Sequence, residues 1–345
     1  MSEALATVYR PKTFDEVVGQ DVVIKILKQQ LKSNEFRHAY LFCGPSGDGK
    51  TTLARIFANE LNHYQGSPIE IDAASNNGVD NVRNIIDDSK QRSLDSEYKV
   101  IIIDEAHMIS IAGWNAFLKT IEEPSPYTVF IFCTTDPQKI PSTILGRVTR
   151  FNLSRIRTDL IKERLMYICK QENYTNYEES CDYVAKLSAG GMRDAISMIE
   201  KCAGYSKDLC ITNVIQSLGN FSYEIFIDLT NALVDGNQAE ALKIIDDCFN
   251  SGSDLRLFID QYLDFVLDLN KYCLFNDISL TKIPASLEVV KGSNRCIKYV
   301  VGIENNTKYF NELMSNIFNI KNQLRYDTMP KVTISVGLIN ICRGA

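Results

Sequence analysis

The stretch Gly44, Pro45, Ser46, Gly47, Asp48, Gly49, Lys50, Thr51 and Thr52 combines the residue types needed to hold a polyphosphate. It fits G-x-x-x-x-G-K-[ST], the spacing of a phosphate-binding loop. Glycines let backbone N–H groups converge on phosphate oxygens, and a helix starting there adds its partial positive charge. Lys50 can reach the terminal phosphates, and the Thr51 hydroxyl can ligate Mg²⁺. Farther along, Asp104 and Glu105 close the apolar run Ile101-Ile102-Ile103. An Asp at the tip of a buried strand can hold the Mg²⁺ shell, and the Glu beside it can polarise an attacking water. That pair points to hydrolysis rather than mere nucleotide binding. Two carboxylates capping the next helix are the blander alternative, and the upstream loop argues against it. Thr134, Thr135 and Asp136 end another apolar run, where a hydroxyl could touch a γ-phosphate. His107 reads as a structural or coupling residue. Arg147 and Arg193, taken alone, read as surface charges or ion-pair partners.

Such a loop needs a strand before it and a helix after it. Ala39–Cys43 supplies an apolar run, and Thr52–Ala58 starts the helix. Val22–Leu31 has helical spacing through Val23, Ile26, Leu27 and Leu31, and 69–72 reads as a short strand. Val79–Ser89 reads as a helix capped by the turn Asn76-Asn77-Gly78. Val100–Ile103 and Val129–Cys133 are β-branched or aromatic runs suited to buried parallel strands. Between them, Ala112–Ile121 is helical with Trp114, Phe117 and Leu118 on one side. Alternating strands and helices imply an α/β domain with a covered parallel sheet. After Arg155 helical periodicity takes over, with helices expected at 160–172, 178–188 and 192–205, the last preceded by Gly190-Gly191. A second all-helical region is expected from 221, carrying Ile225, Leu229 and Leu233 on one face, then helices at 239–249 and 255–272. Residues 276–293 are less periodic and read as a longer connection.

The chain has 345 residues, which calls for two or three domains. Its 45% hydrophobic and 23% charged content is that of a globular protein. No run approaches the roughly eighteen apolar residues of a membrane span. The N-terminus lacks a basic-then-apolar leader, so a cytoplasmic location is expected. Ten cysteines are scattered without a C-x-x-C pair and read as reduced, mostly buried thiols. With only three histidines, a His-rich metal or catalytic site is hard to assemble. The net charge of −6 does not advertise nucleic-acid binding, but a few basic side chains in a groove would suffice for it. Arg83, Lys90 and Arg92 are candidates for that role, against the plainer reading of a solvated helix face.

Several longer stretches carry a resemblance. Tyr9-Arg10-Pro11-Lys12-Thr13-Phe14-Asp15-Glu16-Val17-Val18-Gly19-Gln20 resembles the N-terminal signature of AAA+ clamp-loader ATPases. Ile69–Asp80, Asn115–Pro124 and Thr134–Pro141 are similar to the gamma/tau family of bacterial DNA polymerase III. The likeness is dense over 5–200 and continues in helix pattern alone over 221–345. It implies an α/β P-loop AAA+ domain (4–154), a helical lid (155–218) and a C-terminal all-helical collar (221–345) that joins subunits.

The resemblance also implies roles. Tyr9, Arg10, Val18 and Gly19 would line the adenine site, while Thr135, with Thr134, would sense the γ-phosphate. Arg193, in Gly190-Gly191-Met192-Arg193-Asp194, would reach the nucleotide from the lid. Arg147 stands where the family has Ser-Arg-Cys, and would enter a neighbouring subunit's ATP site. Here both flanking residues differ, as Gly146-Arg147-Val148. The family's four-cysteine zinc module has no counterpart in Asn62–Pro68, so no zinc site is expected. The implied cofactors are ATP and Mg²⁺. The implied partners are other loader subunits in a homo- or hetero-oligomer, a sliding clamp and primer–template DNA, with no membrane. Two rivals remain on the residues. A non-catalytic scaffold subunit should have a degraded loop or lack the Asp-Glu pair. An AAA+ branch-migration motor should carry a basic winged-helix domain, where this chain has acidic helices with Asp235, Glu240, Asp246 and Asp247.

Overall fold

The structure, a computed structural model, describes residues 3–288, 297, 301–302 and 306–343. The chain divides into two units, residues 1–168 with 188–200, and residues 169–187 with 201–345.

The first unit is built on five strands: β1 (Ala39–Cys43), β2 (Ile69–Asp72), β3 (Lys99–Asp104), β4 (Thr128–Thr134) and β5 (Thr149–Asn152). All neighbours are parallel, in the order β2-β3-β4-β1-β5. The helices are α1 (Leu5–Val8), α2 (Asp21–Ser33), α3 (Lys50–Leu61), α4 (Val79–Ser89), α5 (Ile111–Glu122) and α6 (Ser142–Leu145). Residues 158–168 of α7 (Thr158–Gln171), which precedes α8 (Glu178–Leu187), and 192–200 of α9 (Met192–Tyr205) complete it.

Side chains alternate across a strand, so each buried run serves two cores. Tyr40, Phe42, Ile102 and Ile131 join α2 and α3 through Leu27, Leu53 and Phe57 on one face. Leu41, Ile101, Ile103, Phe130 and Phe132 join α4 and α5 through Val82, Trp114 and Phe117 on the other. The buried Tyr40 hydroxyl donates to Gln30 Oε1 at 3.0 Å and accepts the Arg37 N–H at 2.8 Å. Burial pushes its pKa up to about 12. Among the described cysteines, all but Cys210 and Cys273 are buried, matching the reading of thiols as small apolar groups.

Two expectations need correction. On α2 the buried positions are Val23, Ile24 and Leu27, while Ile26 is exposed: the sheet-facing stripe keeps Val23 and Leu27 but takes Ile24 in place of Ile26. The turn Asn76-Asn77-Gly78 does precede α4, but the residue at the N-cap is Gly78, without a side-chain bond, and Asn76 Nδ2 donates to the Asp72 carbonyl instead. The strand β5 and the helix α10 (Ile211–Leu218) had no counterpart in the sequence reading.

The second unit is helical. It contains α8, α10, α11 (Tyr223–Val234), α12 (Gln238–Asn250), α13 (Leu255–Phe275) and the helices Asn306–Leu324 and Pro330–Arg343. Phe226, Phe258, Tyr262, Phe265 and Phe310 are buried in its interior. The Tyr262 hydroxyl lies 3.0 Å from Thr230 Oγ1, and Asn270 Nδ2 donates to Asn311 Oδ1 at 2.7 Å. The connection after α13 begins with two short 3-10 turns, and the part of it at 289–293 lies outside the described residues.

Candidate functional site

In an open parallel sheet, loops at the carboxyl ends of the strands face one crevice. β1, β3 and β4 deliver three loops there, with Cys43 level with Thr134 across the β1–β4 pair. The first loop turns at Gly49, whose φ of +99° suits glycine alone, and Lys50 and Thr51 then open α3. Lys50 is 6% exposed. Its Nζ donates to the Gly44 carbonyl (2.9 Å), the Pro45 carbonyl (2.5 Å) and Asp48 Oδ1 (3.1 Å).

Thr51 Oγ1 donates to Asp104 Oδ2 at 2.7 Å, joining the first loop to the tip of β3. A hydroxyl and a carboxylate oxygen so close are hard oxygen donors of the kind magnesium takes. Among the described residues, no group of three or more His, Cys, Asp or Glu is gathered to hold a metal ion. Magnesium at Thr51 and Asp104 would therefore draw the rest of its shell from phosphate and water oxygens, as that ion commonly does.

Glu105 follows with φ +46°, a left-handed backbone rare outside glycine and characteristic of strain kept at functional sites. Its N–H donates to Asp104 Oδ1 at 2.9 Å. Its Oε2 accepts from Thr135 Oγ1 at 3.2 Å and lies 3.3 Å from His107 Nδ1. The same His107 nitrogen is 3.2 Å from Thr134 Oγ1, which also accepts the Asp136 N–H at 3.0 Å. The imidazole thus bridges the tips of β3 and β4, a coupling position.

Of these groups, Lys50, Thr51, Asp104, Glu105 and Thr135 line one pocket in the first unit. Its walls include Tyr9, Arg10, Val18, Ser46, Gly47, Asp48, Gly49, Lys50, Thr51, Thr52, Asp104, Glu105, Thr135 and Arg193. Of the residues read from the sequence, Gly19, Gly44, Pro45, Thr134 and Arg147 are not in that lining. Gly44 and Pro45 act through the carbonyls that hold Lys50. Arg147 is half exposed; its Nε donates to Glu122 Oε1 at 2.6 Å and its Nη1 to the Thr143 carbonyl at 2.6 Å.

The lining adds residues the sequence did not single out, among them Ala6, Pro11, Ile156, Met192 and the cation Arg164. Arg164 Nη2 donates to the Tyr9 carbonyl at 3.1 Å, and its guanidinium lies 5.2 Å from the Tyr167 ring centroid. Nothing in its helical context marked it. Among the cations considered for nucleic acid, Arg83 pairs with Asp80 and Lys90 with Asp87, while Arg92 lies over the Tyr127 ring.

A family model described as "DNA polymerase III, delta subunit" matches residues 19–75 and 68–157. The Bacillus subtilis protein named DNA polymerase III subunit tau is 33% identical over 99% of this chain and 63% of its own length. The Haemophilus influenzae subunit tau/gamma is 35% identical over 73% of this chain and 40% of its own. For the Escherichia coli subunit tau the figures are 31%, 80% and 47%. The chain thus spans between 40% and 63% of the length of these relatives. Among solved structures, the Thermotoga maritima RuvB Holliday junction branch migration motor matches with a TM-score of 0.52 and 22% identity. That match covers 66% of this chain and 79% of the other, and it is a likeness of fold. Identity of 33% carried across 99% of its residues, on a parallel-sheet AAA+ fold followed by helices, makes this chain a member of the DNA polymerase III gamma/tau family of AAA+ clamp-loader proteins.

Proposed function

We propose that the chain is an ATP-hydrolysing clamp-loader subunit that works in a multi-subunit assembly. That assembly opens a sliding clamp and closes it around primer–template DNA. The observation that carries this reading is the gathering of Lys50, the Thr51–Asp104 pair and the Glu105–Thr135 pair in the lining of one pocket, together with Tyr9, Arg10 and Arg193. Backbone N–H groups from Ser46 to Thr52 and the α3 N-terminus would cradle the phosphates. Tyr9, Arg10 and Val18 would hold the base, with Gly19 turning the chain beside them. Magnesium bound through Thr51 and Asp104 supplies charge neutralisation of the phosphate oxygens.

Glu105 is the base: its Oε2 takes the proton of the attacking water. Thr135 holds that oxygen through its own hydroxyl, so a γ-phosphate that draws the hydroxyl away frees Oε2. Arg193 steadies the phosphates from α9. Arg147 serves a neighbour's site, which accords with its absence from its own pocket. The division into 4–154, 155–218 and 221–345 belongs to this proposal, as do a ring-like five-membered assembly, a cytoplasmic location and the lack of a zinc site. No described helix is long and apolar enough to cross a membrane. ATP can drive assembly only by favouring the clamp- and DNA-gripping arrangement over the relaxed one.

The test is ATP turnover with and without a sliding clamp and primed DNA, alongside the native mass of the assembly. Turnover should be slow for the lone chain and rise with both ligands. Arg147→Ala should bind ATP almost as well while losing ~10³-fold of the stimulated rate. Full turnover in that variant would remove the in-trans role. Failure to bind ATP with magnesium at millimolar supply would sink the whole reading.

A further inference from the structure

The phosphate loop contains a carboxylate of its own. Asp48, between Gly47 and Gly49, is only 2% exposed. Its Oδ1 accepts from Lys50 Nζ at 3.1 Å and from the Lys50 backbone N–H at 3.4 Å. Its Oδ2 is buried without a hydrogen-bond partner. That oxygen fills the space beside Gly44, where a Cβ would come within 1.9 Å of it, so Gly44 is the residue that makes room for Asp48. Burial pushes the Asp48 carboxyl up from its ordinary range, with Lys50 pulling it back.

An ammonium group has three N–H donors. All three of those on Lys50 are taken within the loop, by two carbonyls and Asp48. A phosphate oxygen can engage Lys50 only by displacing one of them. The two carbonyls are neutral dipoles. The carboxylate differs twice over: it repels the phosphate, and losing Lys50 strips a buried charge of its counter-ion.

We propose that Asp48 is a built-in competitor for Lys50, a positioning residue that weakens binding of nucleotide polyphosphates, and of triphosphates most. The inference rests on the reading of this pocket as an ATP site. Its consequence is that the chain alone holds nucleotide loosely, so that firm retention depends on what a neighbouring subunit adds.

The experiment uses the full chain and two variants. Asp48→Asn keeps the shape and removes the charge; Asp48→Ser removes the carboxyl altogether and guards against a misfolded Asn variant. Binding of ADP and of a non-hydrolysable ATP analogue, each with magnesium, is measured by calorimetry, with thermal melting as the check on folding. Both variants should bind the analogue about tenfold more tightly or better, as expected for removing a charge in a poorly solvated site. The gain should be smaller for ADP, which a merely structural change would not produce. Unchanged or weaker binding in variants that melt like the parent overturns the role of Asp48 alone. If the parent and both folded variants bind neither nucleotide, the ATP-site reading falls as well.

Discussion

Glu105 is approached from two sides, by the Thr135 hydroxyl and by His107, while its own backbone sits in a left-handed conformation. Holding a non-glycine residue there costs of order 1–3 kcal/mol, which the surrounding structure must supply. The residue lines the same pocket as Thr51 and Asp104, where the proposed water and metal chemistry would meet. Glu105→Gln keeps the shape and the approach of Thr135 but cannot take a proton. It should bind ATP as the parent does and lose about 10²-fold or more in single-turnover hydrolysis. Hydrolysis at the parent rate would reassign the base. At this scale the sequence spoke clearly where types and spacing are forced by phosphate chemistry, as in Lys50, Thr51, Asp104 and Glu105. It was silent on Arg164, whose place in the pocket wall comes from where α7 lies. It marked Asp48 only as one residue of the phosphate loop, with no sign of its side chain's burial against Lys50.

The central strands were the most legible elements, although the largely exposed β2 was also read at 69–72. β1, β3 and β4 are continuous apolar runs because both their faces are covered, and their limits follow from composition. β5 lies at the sheet edge and buries only Phe151 of Thr149–Asn152, so its sequence carries no such run. Helix ends were harder still, because capping depends on the backbone as much as on residue type. The asparagines before α4 do not cap it, whereas Ser110 does cap α5: its Oγ accepts the Gly113 N–H at 3.1 Å. That bond fixes the start of the helix that carries Trp114 and Phe117 into the sheet. Ser110→Ala should cost about 1 kcal/mol locally. Hydrogen exchange should report it as severalfold faster exchange of the first-turn amides of α5, Gly113 foremost, with the helices of the second unit unaffected. Unaltered exchange at Gly113 would mean that packing alone holds the helix start.

At the scale of the whole molecule, the proposed division of labour puts Glu105 and Arg147 of one chain to work in different sites. Glu105 would act in its own pocket, whose lining Arg147 does not join; Glu122 and the Thr143 carbonyl hold that guanidinium instead. This separation allows a complementation test that no single-site mechanism passes. Glu105→Gln subunits lack the base but can lend an arginine; Arg147→Ala subunits keep the base but have no arginine to lend. Assemblies made wholly of either variant, with clamp and primed DNA supplied, should turn over ~10²-fold or more below the parent. Assemblies reconstituted from an equal mixture should recover turnover far above both, because some interfaces pair an intact base with an intact arginine. Were the two residues to serve the same pocket, every site in the mixture would lack one of them, and its rate would be only the average of the two crippled parents. Recovery therefore requires a composite site, and its absence in assemblies of native mass would return Arg147 to a structural role beside Glu122.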